Sequence, residues 1–202
     1  MDFWLLYLAT GVFAGFLAGL LGVGGGLVIV PVLASLFAAQ HFPSGQIMHL
    51  ALGTSLTSIM FTSVSSLRAH HAHGAVNWQV VRDITPGIIA GTLAGTVLAA
   101  QLSTAFLKVF FVVFLYYVAT QMVMNIKPKP SRELPRAAGM FGAGGIIGAV
   151  SSLVGIGGGT LSVPFMTWCN VKMHQAIGTS AAIGFPIAAA GAVGYIANCW
   201  AL

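Results

Sequence analysis

The chain has 202 residues, of which 57% are hydrophobic and only 5% are charged. Soluble domains carry about 25% charged residues, so this composition excludes a soluble globular protein and predicts a protein embedded in the lipid bilayer. The net charge of +5 would indicate a nucleic-acid partner in a soluble protein. In a membrane protein Lys and Arg instead mark loops, so no nucleic-acid partner is predicted.

Charge-free apolar runs predict an all-α, polytopic fold with about six membrane segments. The first run is too long for one upright crossing and contains a glycine-rich break, so it predicts two helical pieces. We interpret its first piece as a retained helix, because no basic leader precedes it. The predicted elements in chain order are helices ending near Leu21 and Ala39, a span over residues 49–67, a loop over 68–82, and spans ending near Gln101 and Asn125.

The glycine-rich break occurs twice, each time inside an apolar run. Gly22–Gly26 is followed by Pro31, and Gly155–Gly159 is followed by Pro164, with both features shifted by 133 positions. A duplicated broken helix in an apolar chain is the sequence pattern that points to a transporter binding site. The pattern therefore predicts a site formed where the two breaks converge.

A second pair of matching segments follows the breaks. Met48–Ser55 and Met173–Ser180 both begin with Met-His and end with Gly-Thr-Ser, and they are shifted by 125 positions. We interpret the chain as two transmembrane repeats, residues 1–126 and 137–202, joined by a basic, Pro-rich linker over 127–136. Counterparts of the third and fourth spans would lie beyond residue 202, so the second repeat is predicted to be truncated by about 50 residues. The sequence leaves open whether the repeats are parallel or inverted.

The positive charges predict the orientation of the chain. Lys and Arg cluster in two predicted loops, Arg68–Arg82 and Lys127–Arg136, and two spans separate these loops. Both loops therefore lie on one membrane face, and excess Lys and Arg marks the cytoplasmic face. The prediction is a multi-pass inner-membrane protein with both central basic loops in the cytoplasm.

The breaks favour an anion. A glycine run in lipid must be buried or line a watery cavity, and the N–H groups and dipole at a helix start attract negative charge. Only Asp2, Asp83 and Glu133 are acidic, which counts against a carboxylate cage for cations. The alternatives are glycines that serve tight helix packing and hydroxyls bonded within their own helices. The predicted substrate-binding residues are Gly24, Gly25, Gly26, Thr54, Ser55, Gly157, Gly158, Gly159, Thr179 and Ser180.

Two histidines occupy matching positions. His49 and His174 each lie five residues before the threonine of Gly-Thr-Ser. An imidazole there can bind an anion or carry a coupled proton, whereas the structural alternative is an interfacial histidine at a helix start. The sequence predicts no metal site and no cofactor.

These motifs resemble a known family. The Gly-x-Gly-Gly-Gly-x4-Pro break, its repetition after a basic linker and the Gly-Thr-Ser match after each break are similar to the sulfite exporter TauE/SafE family, also called the four-toluene-sulfonate uptake permease family. The resemblance covers essentially the whole chain. It implies an inner-membrane permease of about eight helices that moves sulfite, sulfonates or related organosulfur anions, outward in some members and inward in others.

The predicted function is anion transport by alternating access around the two breaks, and the expected partners are a small anionic substrate and the lipid bilayer. A homodimer is a further expectation, because absent helices would leave an uneven surface. Two alternatives stay open: an intramembrane enzyme using a histidine with Ser55 or Ser180, and a truncated, non-transporting scaffold. The symmetric duplication disfavours the enzyme, because a catalytic dyad needs one copy.

Overall fold

The computed structural model describes residues 3–21, 25–124 and 133–199, and within these ranges the regular structure is entirely helical. The all-α prediction is confirmed. The helices are α1 Phe3–Leu21, α2 Gly26–Ala39, α3 Ile47–Ala72, α4 Trp78–Gln101, α5 Thr104–Val123, α6 Ala137–Val154, α7 Gly159–Trp168 and α8 Met173–Cys199.

The first apolar run forms two helices, α1 and α2, as predicted, and residues 22–24 between them lie outside the described part of the chain. The predicted loop over residues 68–82 is wrong. Helix α3 continues to Ala72 and α4 begins at Trp78, so Arg68 and Arg82 both lie in helices. Basic side chains near a helix C-terminus interact favourably with the helix dipole, which lets α3 extend past its apolar part. The remaining connection is short because the Asn77 side chain accepts a hydrogen bond from the Val80 N–H and caps α4.

The helices that follow the two breaks are short and end alike. Helix α2 has 14 residues and α7 has 10, so each is shorter than the roughly 30 Å apolar thickness of a bilayer. Both end with a bond of the Schellman type, from Phe42 N–H to Phe37 O at 3.1 Å and from Val171 N–H to Met166 O at 3.0 Å. Neither short helix can therefore cross a bilayer by itself.

The centre of the molecule is built from α3, α4, α6 and α8. Helix α3 packs against α8, and α4 packs against both α6 and α8. Glycines make the α4–α6 contact close: a Cβ built on Gly91 would collide with the Gly145 carbonyl, and one built on Gly144 would lie 2.5 Å from Ile84 O. Small residues at helix interfaces allow such approach in membranes. The largest fully buried side chains include Leu52, Leu56, Ile84, Ile88, Ile183 and Ile187.

Within the described residues, five helices are long and apolar enough to cross a membrane: α3, α4, α5, α6 and most of α8. Large apolar side chains remain exposed on the outside of the bundle, among them Phe61 and Tyr116, at 69% and 73% exposure. Such a surface suits lipid rather than water. Helix, short helix and long helix follow one another in the same order in both sequence copies, and the internal duplication itself stays a prediction.

Candidate functional site

The two breaks lie against each other. Gly26, the first residue of α2, touches the Gly155 carbonyl so closely that a Cβ there would collide with it. The Ser55 hydroxyl of α3 donates to the same carbonyl at 2.8 Å. Residues 22–24, including the predicted site residue Gly24, lie outside the described part of the chain. One cluster therefore contains the start of α2, the second break and the middle of α3.

The second break needs glycine at two positions. Gly155 ends α6 with φ of 70°, and Gly158 precedes α7 with φ of 76°, both in the left-handed region that residues with a Cβ avoid. A Cβ on Gly158 would also collide with Ile187 of α8. The chain thus leaves α6 and starts α7 within four residues.

The start of α7 presents backbone donors that have no partner within the helix itself. The Leu161 and Ser162 N–H groups donate to Gly158 O at 3.1 and 2.8 Å. The N–H groups of Gly159 and Thr160 precede this first turn and have no acceptor within their own helix. The partial positive charge of the helix N-terminus therefore points into the break, where the sequence places no acidic residue nearer than Glu133.

Three hydroxyls that sequence reasoning missed surround this helix start. The side-chain oxygens of Ser151, Thr160 and Ser162 are buried and have no hydrogen-bond partner among the described residues. Ser151 and Ser162 are both 0% exposed, and the Ser151 oxygen lies 3.5 Å from the Cβ position of Gly158. A buried hydroxyl without a partner is costly, so these groups are suited to a bound anion or water.

These hydroxyls have no polar counterparts in the first sequence copy, so duplication does not reveal them. Their counterparts in the first copy, at a shift of 133, are Ala18, Leu27 and Ile29. A different sequence feature marks them: four hydroxyl residues, Ser151, Ser152, Thr160 and Ser162, lie within four positions of the second break in an otherwise apolar stretch. The second break is therefore more polar than the first.

The four predicted hydroxyls do not gather in one place. Ser55 bonds to the second break, whereas Ser180 donates to Ile177 O in its own helix at 2.8 Å. The Thr179 hydroxyl accepts from the Asn77 N–H at 2.9 Å, and Thr54 is exposed. Of these side chains, only that of Ser55 bonds to a break residue that the structure describes, and binding roles for all four stay predictions.

A cavity of about 300 Å³ lies between the start of α3 and the end of α8. His49 is 6% exposed and borders this cavity, and its Nε2 lies 2.9 Å from Ala99 O. Since a carbonyl only accepts, Nε2 carries the hydrogen, and the buried Nδ1 has no partner among the described residues. His174 is exposed, so the two histidines differ. The cavity is lined by His49, Leu50, Gly53, Thr54, Thr57, Ala192, Tyr195 and Ile196.

Comparison with known proteins gives a family match over nearly the whole chain. The family described as sulfite exporter TauE/SafE matches residues 7–201. No solved structure matches the chain.

Curated relatives have the same general description. A probable membrane transporter protein of Haemophilus influenzae is 38% identical over 200 residues, which cover 98% of this chain and 75% of that protein. Probable membrane transporter proteins of Methanocaldococcus jannaschii and Bacillus subtilis are 29% and 25% identical, over 88% and 80% of this chain and 67% and 66% of their own lengths.

Proposed function

The chain belongs to the sulfite exporter TauE/SafE family of membrane transporters, and on that premise we propose that it moves sulfite, sulfonates or related small anions by alternating access. The proposed location is the inner membrane, with the central basic segments on the cytoplasmic side. The family description supports the substrate class, and the Lys and Arg distribution supports the orientation.

One observation carries the proposal: the Ser151 and Ser162 hydroxyls are buried beside the N-terminus of α7 and have no hydrogen-bond partner in the described part of the chain. Hydroxyl and backbone N–H groups are the donors that an oxyanion needs, and bonds to an ionised group are about twice as strong as neutral ones. Sulfite and sulfonates each offer three acceptor oxygens. In this proposal Gly159 and Thr160 N–H groups bind the anion from the helix side and the two serines bind it laterally.

In the proposed mechanism, the contact between the two breaks forms and separates during transport. Gly26 and Gly155 touch through backbone atoms, and the Ser55 hydroxyl holds the Gly155 carbonyl. Because α2 and α7 are short, each can tilt without crossing the bilayer. Separation of the two breaks would open the anion site to one face of the membrane, and contact between them would close the site to that face.

His49 is the better candidate of the two histidines for proton coupling. With Nε2–H bonded to the Ala99 carbonyl, protonation of Nδ1 creates a donor in a buried position beside the cavity. Tyr195 is the other titratable residue lining that cavity. The exposed His174 has no comparable enclosure.

Uptake of radiolabelled sulfite and methanesulfonate into proteoliposomes tests the proposal. We expect the Ser151→Ala, Ser162→Ala double variant to lose at least about tenfold in flux, because two donors to the anion disappear. Ser152→Ala is the matched control: Ser152 is adjacent and equally buried, but its hydroxyl bonds Ala149 O within α6. Equal flux in the double variant and the control would refute the site, and no flux of either anion would refute the substrate class.

A further inference from the structure

The last turn of α6 ends in an uneven pattern of hydrogen bonds. The Gly155 and Ile156 N–H groups both donate to the Ser151 carbonyl, at 2.8 and 3.1 Å. In a continuing α-helix the Ile156 N–H would instead bond to the Ser152 carbonyl. The turn into the second break therefore leaves the Ser152 carbonyl without a donor from either group, although Ser152 is 0% exposed.

Tyr195 of α8 supplies a donor to this carbonyl. Its hydroxyl donates to Ser152 O at 2.9 Å, and the side chain is 3% exposed. A buried carbonyl without a donor is costly, so this bond stabilises the end of α6 at the place where the structure has it. Without the bond, transfer of the Ile156 N–H from Ser151 O to Ser152 O would satisfy the carbonyl and extend α6 into the break.

Close packing on two sides holds Tyr195 against α6. A Cβ built on Gly53 of α3 would lie 3.2 Å from the Tyr195 Cβ. A Cβ built on Gly194 would collide with Thr96 of α4. Because α8 approaches both α3 and α4 at this level, the tyrosine ring has little room to leave its hydrogen bond to α6.

We propose that Tyr195 is a positioning residue for the anion, which holds the Ser152 carbonyl and thereby keeps the neighbouring Ser151 hydroxyl beside the start of α7. The inference rests on the proposed function, in which Ser151 binds the anion. The Ser151 oxygen lies 3.5 Å from the Cβ position of Gly158, and an extension of α6 would rebuild the turn that places it there. Since the tyrosine hydroxyl bonds to α6, its effect on the anion passes through that helix.

The position of Tyr195 also connects the two sites that the proposed mechanism uses. Its ring borders the cavity that His49 lines, while its hydroxyl reaches the end of α6. The first sequence copy offers no such pair, because Tyr195 corresponds to His70 at the shift of 125 and Ser152 corresponds to Gly19 at the shift of 133. The tyrosine bond is therefore, like the Ser151 hydroxyl, a feature of the second break.

Binding of radiolabelled sulfite to the purified chain in detergent tests this role. Tyr195→Phe removes only the hydroxyl, and we expect the Kd to rise about fivefold, because the end of α6 loses one buried hydrogen bond. Replacement of Tyr195 by 4-aminophenylalanine keeps a donor in the same place and should restore the Kd of the parent. Tyr7→Phe is the matched control: the Tyr7 hydroxyl accepts from Gln40 between α1 and α2, and its loss should leave the Kd unchanged.

A double-mutant cycle separates positioning from a general loss of stability. In the Ser151→Ala background we expect Tyr195→Phe to change the Kd by less than about twofold, because the hydroxyl that it positions is already absent. Equal fold-changes in the parent and in Ser151→Ala would overturn the inference, and so would a parent-like Kd in Tyr195→Phe or no recovery with 4-aminophenylalanine. These outcomes leave the anion site intact if Ser151→Ala itself weakens binding. A parent-like Kd in Ser151→Ala would refute the anion site and this inference with it.

Gly53→Ala disturbs the same bond without deleting the hydroxyl, and it decides the question if Tyr195→Phe does not fold. The added methyl group lies 3.2 Å from the Tyr195 Cβ, so the tyrosine must shift by a few tenths of an ångström. We expect a Kd about threefold higher than that of the parent, and no further rise when Gly53→Ala is added to Ser151→Ala. An unchanged Kd in Gly53→Ala, or a rise of equal size in both backgrounds, would overturn the inference.

Discussion

Two eight-residue segments of this chain are nearly the same in sequence and different in environment. In Met48–Ser55 the histidine is buried and the threonine is exposed, whereas in Met173–Ser180 the histidine is exposed and the threonine is buried. Both segments lie near the start of a long helix, α3 or α8, and these helices pack together. Local sequence therefore does not decide which side chains the fold uses.

Helix α4 accounts for the difference. It supplies the carbonyl for His49, and the residue before it supplies the N–H for Thr179. Neither Thr54 nor His174 has such a neighbour within the described residues. Residues of the same type in two similar segments therefore differ in burial and in hydrogen bonding when only one segment faces a given helix.

The largest expected effect comes from placing a large side chain in the close contact between α4 and α6. Gly91→Leu would force a side chain into the Gly145 carbonyl and should cost about 3 kcal/mol in the free energy of unfolding. Gly15→Leu in α1 meets nothing within 4 Å and should leave stability unchanged in the 202-residue chain. Thermal unfolding in detergent measures both, and equal losses would show that α1 is already packed.

The next largest effect separates the two serines. Ser55→Ala removes the buried donor to the Gly155 carbonyl and should cost about 1 to 2 kcal/mol. Ser180→Ala removes a bond within one helix turn and should stay within about 0.5 kcal/mol. Chemical unfolding of the matched pair tests this, and a larger loss for Ser180→Ala would reverse the assignment.

The threonines should differ in the same direction with a smaller effect. Thr179→Val leaves the Asn77 N–H without its acceptor and should lower stability by about 1 kcal/mol. Thr54→Val, at an exposed position, should change it by less than about 0.5 kcal/mol. Hydrogen exchange of the Asn77 amide, just before α4, measures the loss of this bond directly. Unchanged protection of that amide in Thr179→Val would contradict the prediction.

The smallest expected effect concerns the two histidines, which should differ in transport rather than in stability. His49→Gln keeps an N–H donor for the Ala99 carbonyl but cannot take up a proton, so the proposed coupling predicts flux that no longer depends on an imposed pH gradient. His174→Gln should retain that dependence. Persistence of the gradient effect in His49→Gln would remove this histidine from the coupling.

The sequence predicted the helical class, the second break and the two helices that flank the first glycine run, because glycine runs interrupt apolar helices and their spacing is visible without a structure. It did not predict that α3 and α4 extend through Arg68 and Arg82, since charge alone does not end a capped helix. It also missed Ser151 and Ser162, which lack polar counterparts in the first copy. Duplication identified the break glycines and Ser55 of the candidate site and overlooked Ser151 and Ser162.

Equilibrium binding of radiolabelled sulfite to the purified chain in detergent tests the anion site most directly, because binding does not require a complete transport cycle. The account predicts the same Kd for the parent and Ser152→Ala, and a Kd at least about tenfold higher for Ser151→Ala with Ser162→Ala. Sulfite binding of equal strength in all three proteins would show that the anion lies elsewhere than at the start of α7.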